Sequence, residues 1–388
     1  WLEAVSYCLS VEKNEELENL ADQAIDLLSQ AQKPDGYLNT YYSVLAPEKR
    51  WTNLMEGHEL YCAGHLLEAA VAYHRATGKD QLLDVARRFA DLIEDTFGKN
   101  KKRGYPGHSE IELGLIKLYE LTKEKKYLDL AGYFINERGV GEYLFDEECK
   151  QPDHEFIFPE MASFKADYFQ AHMPVRQQVC ATGHAVRAMY LYSAMADYAR
   201  LTQDQAMREA CEKLYQNTIS RQMYVTGGVG ADKFGERFTS DFDLPANSAY
   251  NETCASIGLM LFSLRMWLLN QNKIDYDIWE QVLFNTVLSG MGRDGHHFFY
   301  VNPLEVVPET IKNNPSLSHV KTQRQKWFSV ACCPPNISRT LASIPGYIFA
   351  VEGERLLVLS HIGSSFEKGG LYVDLSRTGD KYTLTIEG

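Results

Sequence analysis

Two short clusters hold the residues of this chain best equipped for chemistry. Glu252 and Cys254 stand one residue apart in NETCAS, and Cys332 and Cys333 are adjacent in VACCPPNISR. Together they offer one carboxylate and three thiols, a donor set that Zn²⁺ favours in tetrahedral geometry. Neither cluster has the CxxC spacing of a structural zinc module, so a structural and a catalytic metal site both stay open. Adjacent cysteines cannot close a relaxed disulfide on each other. Pro334 and Pro335 stiffen the chain after them, and Asn336 is placed to cap a helix over 337–341. That arrangement would set both sulfurs near the positive end of a helix, where a thiolate is favoured. The competing reading of the pair is two small apolar side chains buried beside a turn.

A second acid stands in FGERF, where Glu236 lies between Phe234 and Phe238. A carboxyl in apolar surroundings has a raised pKa, which suits a general acid. A surface glutamate paired with Arg237 accounts for the same residues. The segment over 225–266 is rich in glycine, yet its GGxG at Gly227 to Gly230 has no flanking strand and no GK[ST], which excludes a nucleotide loop. It reads as a long loop folded over a site, ending at Asn251, where a helix starts with Glu252.

The elements that must position these groups repeat. GHLLEAAVAYHRATGKDQLLDVARRFADLI starts at Gly64, GHSEIELGLIKLYELTKEKKYLDLAGYFI at Gly107 and GHAVRAMYLYSAMADYARLTQDQAMREACEKLY at Gly183. Each is an apolar helix, a turn at Thr77, Thr122 or Thr202, and an amphipathic helix. NEELENLADQAIDLLSQAQ, Asn14 to Gln32, is a further amphipathic helix that stops at the KPDG turn. Helical hairpins of this kind stack side by side, with the apolar helix inside and the charged one outside. They close into a toroid whose inner helices enter around one mouth. His58 or His65, His108 and His184 would then face that mouth. A single histidine there is most simply a core residue; its recurrence at one structural position points to ligand contacts.

The whole chain bounds the rest. With 388 residues, 45% hydrophobic and 23% charged, it is long enough for a large core and more than one domain. Its net charge of −13 argues against nucleic acid as a partner. No uninterrupted apolar run reaches the length of a membrane span, so no membrane partner is expected. Eight cysteines in a chain of this size are too sparse for a disulfide scaffold and suggest a reducing compartment, hence a cytoplasmic location. The first residue is Trp1, so a removed leader stays open. From about His296 the period changes: HHFFYVNPLEVVP, QKWFSVACC, RLLVLSHIG, GGLYVDLSR and KYTLTIEG read as strands. The expected organisation is a helical domain over 1–350 and the start of a β-sandwich over 351–388. A homodimer is kept open.

The segments GERFTSDFDLPANSAYNETCA, VACCPPNISR, GHSEIE, GHAVRA and KPDGYLNTYY resemble glycoside hydrolase family 127, whose members, like those of the related family 146, act as β-L-arabinofuranosidases. The resemblance covers nearly the whole chain, with the motifs in the family's order. It implies a mainly α fold, an (α/α)6 barrel (toroid of helical hairpins) followed by a partial β-sandwich, which in the family continues beyond the point where Gly388 falls. It implies Zn²⁺ held by Glu252, Cys254, Cys332 and Cys333, with Cys332 as nucleophile and Glu236 as acid/base in a retaining mechanism. It further implies sugar contacts from His58, His108 and His184, and an arabinose-containing oligosaccharide or glycoconjugate as substrate. Two other classes stay in view: another α/α-barrel sugar enzyme, an epimerase or unsaturated uronide hydrolase, and a non-catalytic carbohydrate-binding protein with a structural zinc.

Overall fold

A computed structural model describes residues 1–330 and 332–388. Helices dominate it up to Ser343, and all its strands lie beyond Ile348. The three hairpins legible in the sequence are present as Glu59–Thr77 with Gln81–Thr96, Ile111–Thr122 with Lys125–Glu137, and Ala185–Thr202 with Gln205–Asn217. Two more flank them, Leu2–Val11 with Glu15–Ala31 and Thr253–Asn270 with Lys273–Val282, and the helix Cys333–Ser343 follows. The first helix of each hairpin packs against the first helix of the next. Cys333–Ser343 touches both Thr253–Asn270 and Leu2–Val11, which closes the ring of inner helices.

Burial follows the composition of each helix. Ala185–Thr202 is buried almost all round, whereas Gln81–Thr96 buries only a stripe that includes Leu82, Phe89 and Ile93. Thr253–Asn270 is long and apolar enough to cross a membrane, although Arg265 interrupts its apolar run; here it is a wall of the ring, most of it buried. Two glycines let inner helices touch through their backbones. A Cβ on Gly64 would lie 2.6 Å from Ile111 N, and one on Gly114 would lie 2.6 Å from Gly64 O.

The axis of the ring is filled by ions. Arg339 Nη1 reaches Glu68 at 2.7 Å, Glu3 at 3.0 Å and Glu110 at 3.6 Å, and Lys117 reaches Glu68 at 2.7 Å. Arg339 also donates to Asn336 Oδ1 at 2.8 Å and to Tyr190 Oη at 3.1 Å, tying the last inner helix to the Ala185 helix. A buried charge survives only when paired in this way.

Several local expectations are corrected. The last inner helix starts at Cys333 with Cys332 at its N-cap, and Asn336 is a buried bracing residue within it, donating to Tyr190 Oη at 3.0 Å. Pro334 and Pro335 fit inside its first turn because the amides there have no intrahelical acceptor in any case. Among the described residues, which leave out Ala331, the stretches HHFFYVNPLEVVP and QKWFSVACC carry isolated bridges, Met291 with Phe298, Phe298 with Gln325 and Glu252 with Val301, rather than strands. Phe298, Tyr300 and Val301 of the first stretch join the main core, whereas Trp327 and Val330 of the second are exposed. Beyond the barrel, β1 (Phe349–Glu352) pairs antiparallel with β2 (Arg355–Val358). A second antiparallel sheet has the order β3 (Ser364–Lys368), β4 (Leu371–Thr378), β5 (Lys381–Glu387).

Candidate active site

The inner helices present their N-termini to one mouth, and the candidate residues sit at or just before those starts. Glu252 is the N-cap of Thr253–Asn270, with Cys254 in its first turn. The segment around Tyr300 is bridged onto that helix start, Thr253 N donating to Tyr300 O at 2.9 Å. The Cys333 helix closes the ring beside it. One donor atom from each of Glu252, Cys254, Cys332 and Cys333 lies within 4.8 Å of all the others. Cys254 Sγ is 3.5 Å from Cys333 Sγ, Cys332 Sγ is 3.9 Å from Cys333 Sγ, and Glu252 Oε1 is 3.4 Å from Cys332 Sγ. Glu252 Oε2 is buried with no hydrogen-bond partner among the described residues. The two clusters, 80 residues apart in sequence, thus form one centre able to hold a metal ion.

Four acids at this spacing cannot all lose their protons without a cation. Hydrogen bonds from Cys254 and Cys333 pull the Cys332 thiol down to about 2, against its burial. Burial pushes Glu252, Cys254 and Cys333 up. Tyr300 Oη lies 3.3 Å from Cys332 Sγ and supports its thiolate. Cys332 is therefore the sulfur poised to be anionic, and it is partly exposed while Cys333 is buried.

Glu236 arrives on a different element. Asp232 and Arg237 bridge to each other and Arg237 bridges to His184, so a hairpin tip is docked on the start of the Ala185 helix. Ala185 N donates to Glu236 O at 2.9 Å, and Glu236 is held at φ +52°, a left-handed backbone that costs energy for any residue but glycine. Gly183, at φ +70°, lets the chain before His184 pass against the Asp167–Tyr168 segment, where a Cβ would lie 2.4 Å from Asp167 O. His184 Nδ1 accepts from Arg187 N at 3.3 Å, so its proton is on Nε2, which donates to Glu236 Oε2 at 3.1 Å. Tyr250 Oη donates to Glu236 Oε1 at 2.7 Å. Burial raises the Glu236 pKa, but these two bonds outweigh it and the net shift is downward. The expectation of a raised carboxyl in an apolar pocket is thereby corrected: its neighbours are polar donors, and its sequence neighbour Arg237 pairs instead with Asp232 at 3.0 Å. Glu236, His184 and Glu252 each place one such atom within 4.8 Å of the other two, which joins the hairpin to the thiol centre.

The histidines line up along the mouth. Ring centroids are 5.6 Å apart for His108 and His184, and 6.0 Å for His58 and His108. His108 Nδ1 donates to Ser109 O at 2.9 Å and His58 Nδ1 to Glu56 O, which leaves each Nε2 for a ligand. Burial, with Arg187 nearby, pushes His58 down to about 4 and His108 well below the usual range, so both are neutral at neutral pH. His65 stands two turns further along the Glu59–Thr77 helix, with Nδ1 3.0 Å from Glu110 Oε1 in the axial ion cluster. Of the two histidines read as equivalent, His58 is the one at the mouth. Sequence reasoning missed Tyr250 and Tyr300; each sits beside a candidate residue only after folding, and tyrosine is too common here, at 23 residues, to be singled out.

Fold and site together define an α/α-toroid protein with a thiol and carboxylate centre at its mouth. Residues 1–346 match the family described as β-L-arabinofuranosidase, GH127 catalytic domain, and the chain belongs to that family. It is 42% identical over 367 residues to a non-reducing end β-L-arabinofuranosidase of Bifidobacterium longum subsp. longum, covering 93% of this chain and 56% of the relative. It also superposes on the crystal structure of Ara127N-Se, a GH127 β-L-arabinofuranosidase from Geobacillus stearothermophilus T6, with a TM-score of 0.93 and 49% identity over all of this chain and 62% of that one. The chain thus spans less than two thirds of the length of these relatives. A cellobiose 2-epimerase from Bacillus thermoamylovorans B4167, 13% identical with a TM-score of 0.55 over 88% of this chain and 85% of that one, shares the fold alone.

Proposed function

We propose that the chain is the catalytic part of a retaining glycoside hydrolase, a β-L-arabinofuranosidase acting on arabinose-containing oligosaccharides or glycoconjugates. The observation that carries this reading is the convergence at one mouth of the partly exposed Cys332, 3.4 Å from Glu252, with the Glu236–His184 pair, which also lies beside Glu252. Family membership and the two arabinofuranosidase relatives supply the sugar.

Zinc fits the four donors. Sulfurs on one tetrahedral zinc with bonds of about 2.3 Å stand about 3.8 Å apart, and the pairs here are 3.5 and 3.9 Å apart. The unpartnered, buried Glu252 Oε2 is a site in want of a cation. Bound by Glu252, Cys254, Cys332 and Cys333, zinc would keep these ligands deprotonated and make the Cys332 thiolate a better leaving group.

The chain's own residues account for the steps. The Cys332 thiolate attacks the anomeric carbon as the bond to the leaving oxygen breaks, and Glu236 gives that oxygen its proton. Sugar entry removes water from Glu236 and leaves it facing the Cys332 thiolate, and both effects raise its pKa toward the acid form. A thioglycosyl intermediate on Cys332 results. Glu236, now ionised, takes a proton from water, the water oxygen displaces the sulfur, and two inversions leave the configuration unchanged. Carboxylate oxygens of Glu236 and Glu252 lie within 4.8 Å, and Glu252 is 3.4 Å from Cys332. His58, His108 and His184 orient the sugar.

The test pairs hydrolysis of nitrophenyl furanosides and pyranosides with elemental analysis of the same sample. β-L-Arabinofuranoside turnover with about one zinc per chain is expected. Cys332→Ser should slow glycosylation on the order of 10³-fold, and a slow substrate should add one glycosyl mass to the peptide bearing Cys332. A label on a carboxylate, inversion of configuration, or full activity without zinc would overturn the reading.

A further inference from the structure

Three carboxylates grip the main chain around the turn that ends at His58. Glu59 Oε2 accepts from Trp51 N at 2.9 Å, and the two oxygens of Glu148 accept from Leu54 N and Met55 N at 3.1 Å each. The third, Glu56, lies within the turn and reaches away from it. Its Oε2 accepts from Ile157 N at 3.1 Å and its Oε1 from Phe158 N at 2.9 Å. Its main-chain oxygen accepts from His58 Nδ1. Glu56 is 2% exposed, whereas Ile157 and Phe158 are 54% and 44% exposed, so the two amides rather than side-chain burial attach the 157–164 segment here. The segment then runs to the acid. Phe164 stacks on Tyr168 at 3.9 Å, and a Cβ on Gly235, the residue before Glu236, would lie 2.7 Å from the Phe164 ring. Residues 157–164 are thus a strap from the His58 turn to the Glu236 hairpin.

The turn itself is strained. Trp51 and His58 stand at φ +62° and φ +55°, a left-handed backbone that a residue other than glycine keeps only where its surroundings over-determine it. Gly107 N donates to Leu54 O at 2.8 Å, and a Cβ on Gly107 would lie 2.1 Å from Met55 O, so the chain before His108 is docked on the same turn.

We infer that Glu56 is a positioning residue for sugar binding: its carboxylate fixes the strap, its carbonyl aims the His58 ring, and the left-handed His58 backbone depends on both. The inference rests on the furanosidase reading above, in which His58 contacts the sugar. Glu56 acts through His58 and not on the reacting atoms. Two converging N–H groups suit a carboxylate, which offers an acceptor to each. Glutamine offers one acceptor and sets its own amino group against the second N–H. Glu56→Gln therefore loosens the strap at nearly constant volume and frees the main chain whose carbonyl holds His58.

The experiment is a double-mutant cycle on kcat/KM for nitrophenyl β-L-arabinofuranoside, with Glu56→Gln made in the wild type and in His58→Ala. In the wild type the change should lower kcat/KM about ten-fold or more, the effect of a misplaced sugar contact, with zinc content and circular dichroism unchanged. In His58→Ala no ring is left to aim, and the same change should cost less than about two-fold. Falls that agree within about two-fold in the two backgrounds would overturn the inference, because the loss would then not pass through His58. A fall under about two-fold in the wild type would overturn it as well. If Glu56→Gln does not fold, Glu148→Gln disturbs the same turn at Leu54 and Met55, and it must show the same non-additivity with His58→Ala or the inference fails. A wild-type protein that does not cleave the glycoside would instead remove the furanosidase reading, and this role with it.

Discussion

Arg339→Met is the substitution whose outcome the axial ion cluster defines most sharply. Arg339 is 9% exposed and opposes Glu68 at 2.7 Å, Glu3 at 3.0 Å and Glu110 at 3.6 Å from a single nitrogen. Methionine fills much of the same volume, so the loss is electrical rather than steric. Removing one partner of a buried ionic set costs about 3–5 kcal/mol, because the three carboxylates of Glu3, Glu68 and Glu110 are then left with only Lys117 and His65 beside them. The lost bonds to Asn336 and Tyr190 add about 1 kcal/mol each. Against a total of about 5–15 kcal/mol for a folded protein, the variant should be marginal at neutral pH. Urea denaturation followed by far-ultraviolet circular dichroism would measure the loss. Its pH dependence has a definite sign. Burial favours the neutral forms of Glu68 and Glu110, while Arg339 favours their charged forms. Without Arg339 their folded pKa values rise, so the folded variant holds protons more tightly and recovers stability as pH falls. A cost under about 1 kcal/mol, or a deficit that does not shrink from about pH 8 to about pH 5, would refute this account of the axis.

Two further outcomes follow from the site and its supports. Tyr250→Phe removes a hydrogen bond to the Glu236 carboxylate, worth about 1.5–3 kcal/mol, and should lower kcat/KM on a poor leaving group by about ten-fold or more with zinc content unchanged; a loss of metal instead would place Tyr250 in the wrong role. Glu148, which accepts from Leu54 N and Met55 N, is pushed up to about 7 by burial. Its folded pKa exceeds its unfolded one, so the wild type gains stability as pH falls below about 7. Glu148→Gln should lose that gain, widening the melting-temperature gap between the two proteins on acidification; a gap that narrows would contradict the assignment.

The hairpins and the order of inner and outer helices were legible in the sequence, because burial all round and burial on one stripe leave different residue patterns along a helix. So were the four donors, since cysteine and glutamate in tight clusters are rare enough to stand out. The β-region was legible in part: β4 and β5 carry apolar alternations over 8 and 7 residues and β2 a short apolar run, whereas β1 and β3, of 4 and 5 residues, are mixed. The aromatic stretches around Phe298 and Phe328 misled, because β-branched and aromatic residues mark burial as much as strand. What only the tertiary structure decided is which groups meet. The choice of His58 over His65 depends on depth along one helix, and both follow a glycine. Tyr250 and Tyr300 become partners of Glu236 and Cys332 by chain crossings that leave no local signal. The direction of the Glu236 pKa turned on this: its sequence neighbours are apolar, but its spatial neighbours are His184 and Tyr250. A pKa responds to charge and hydrogen bonds within a few ångströms in space, and those neighbours exist only once the ring of helices has closed.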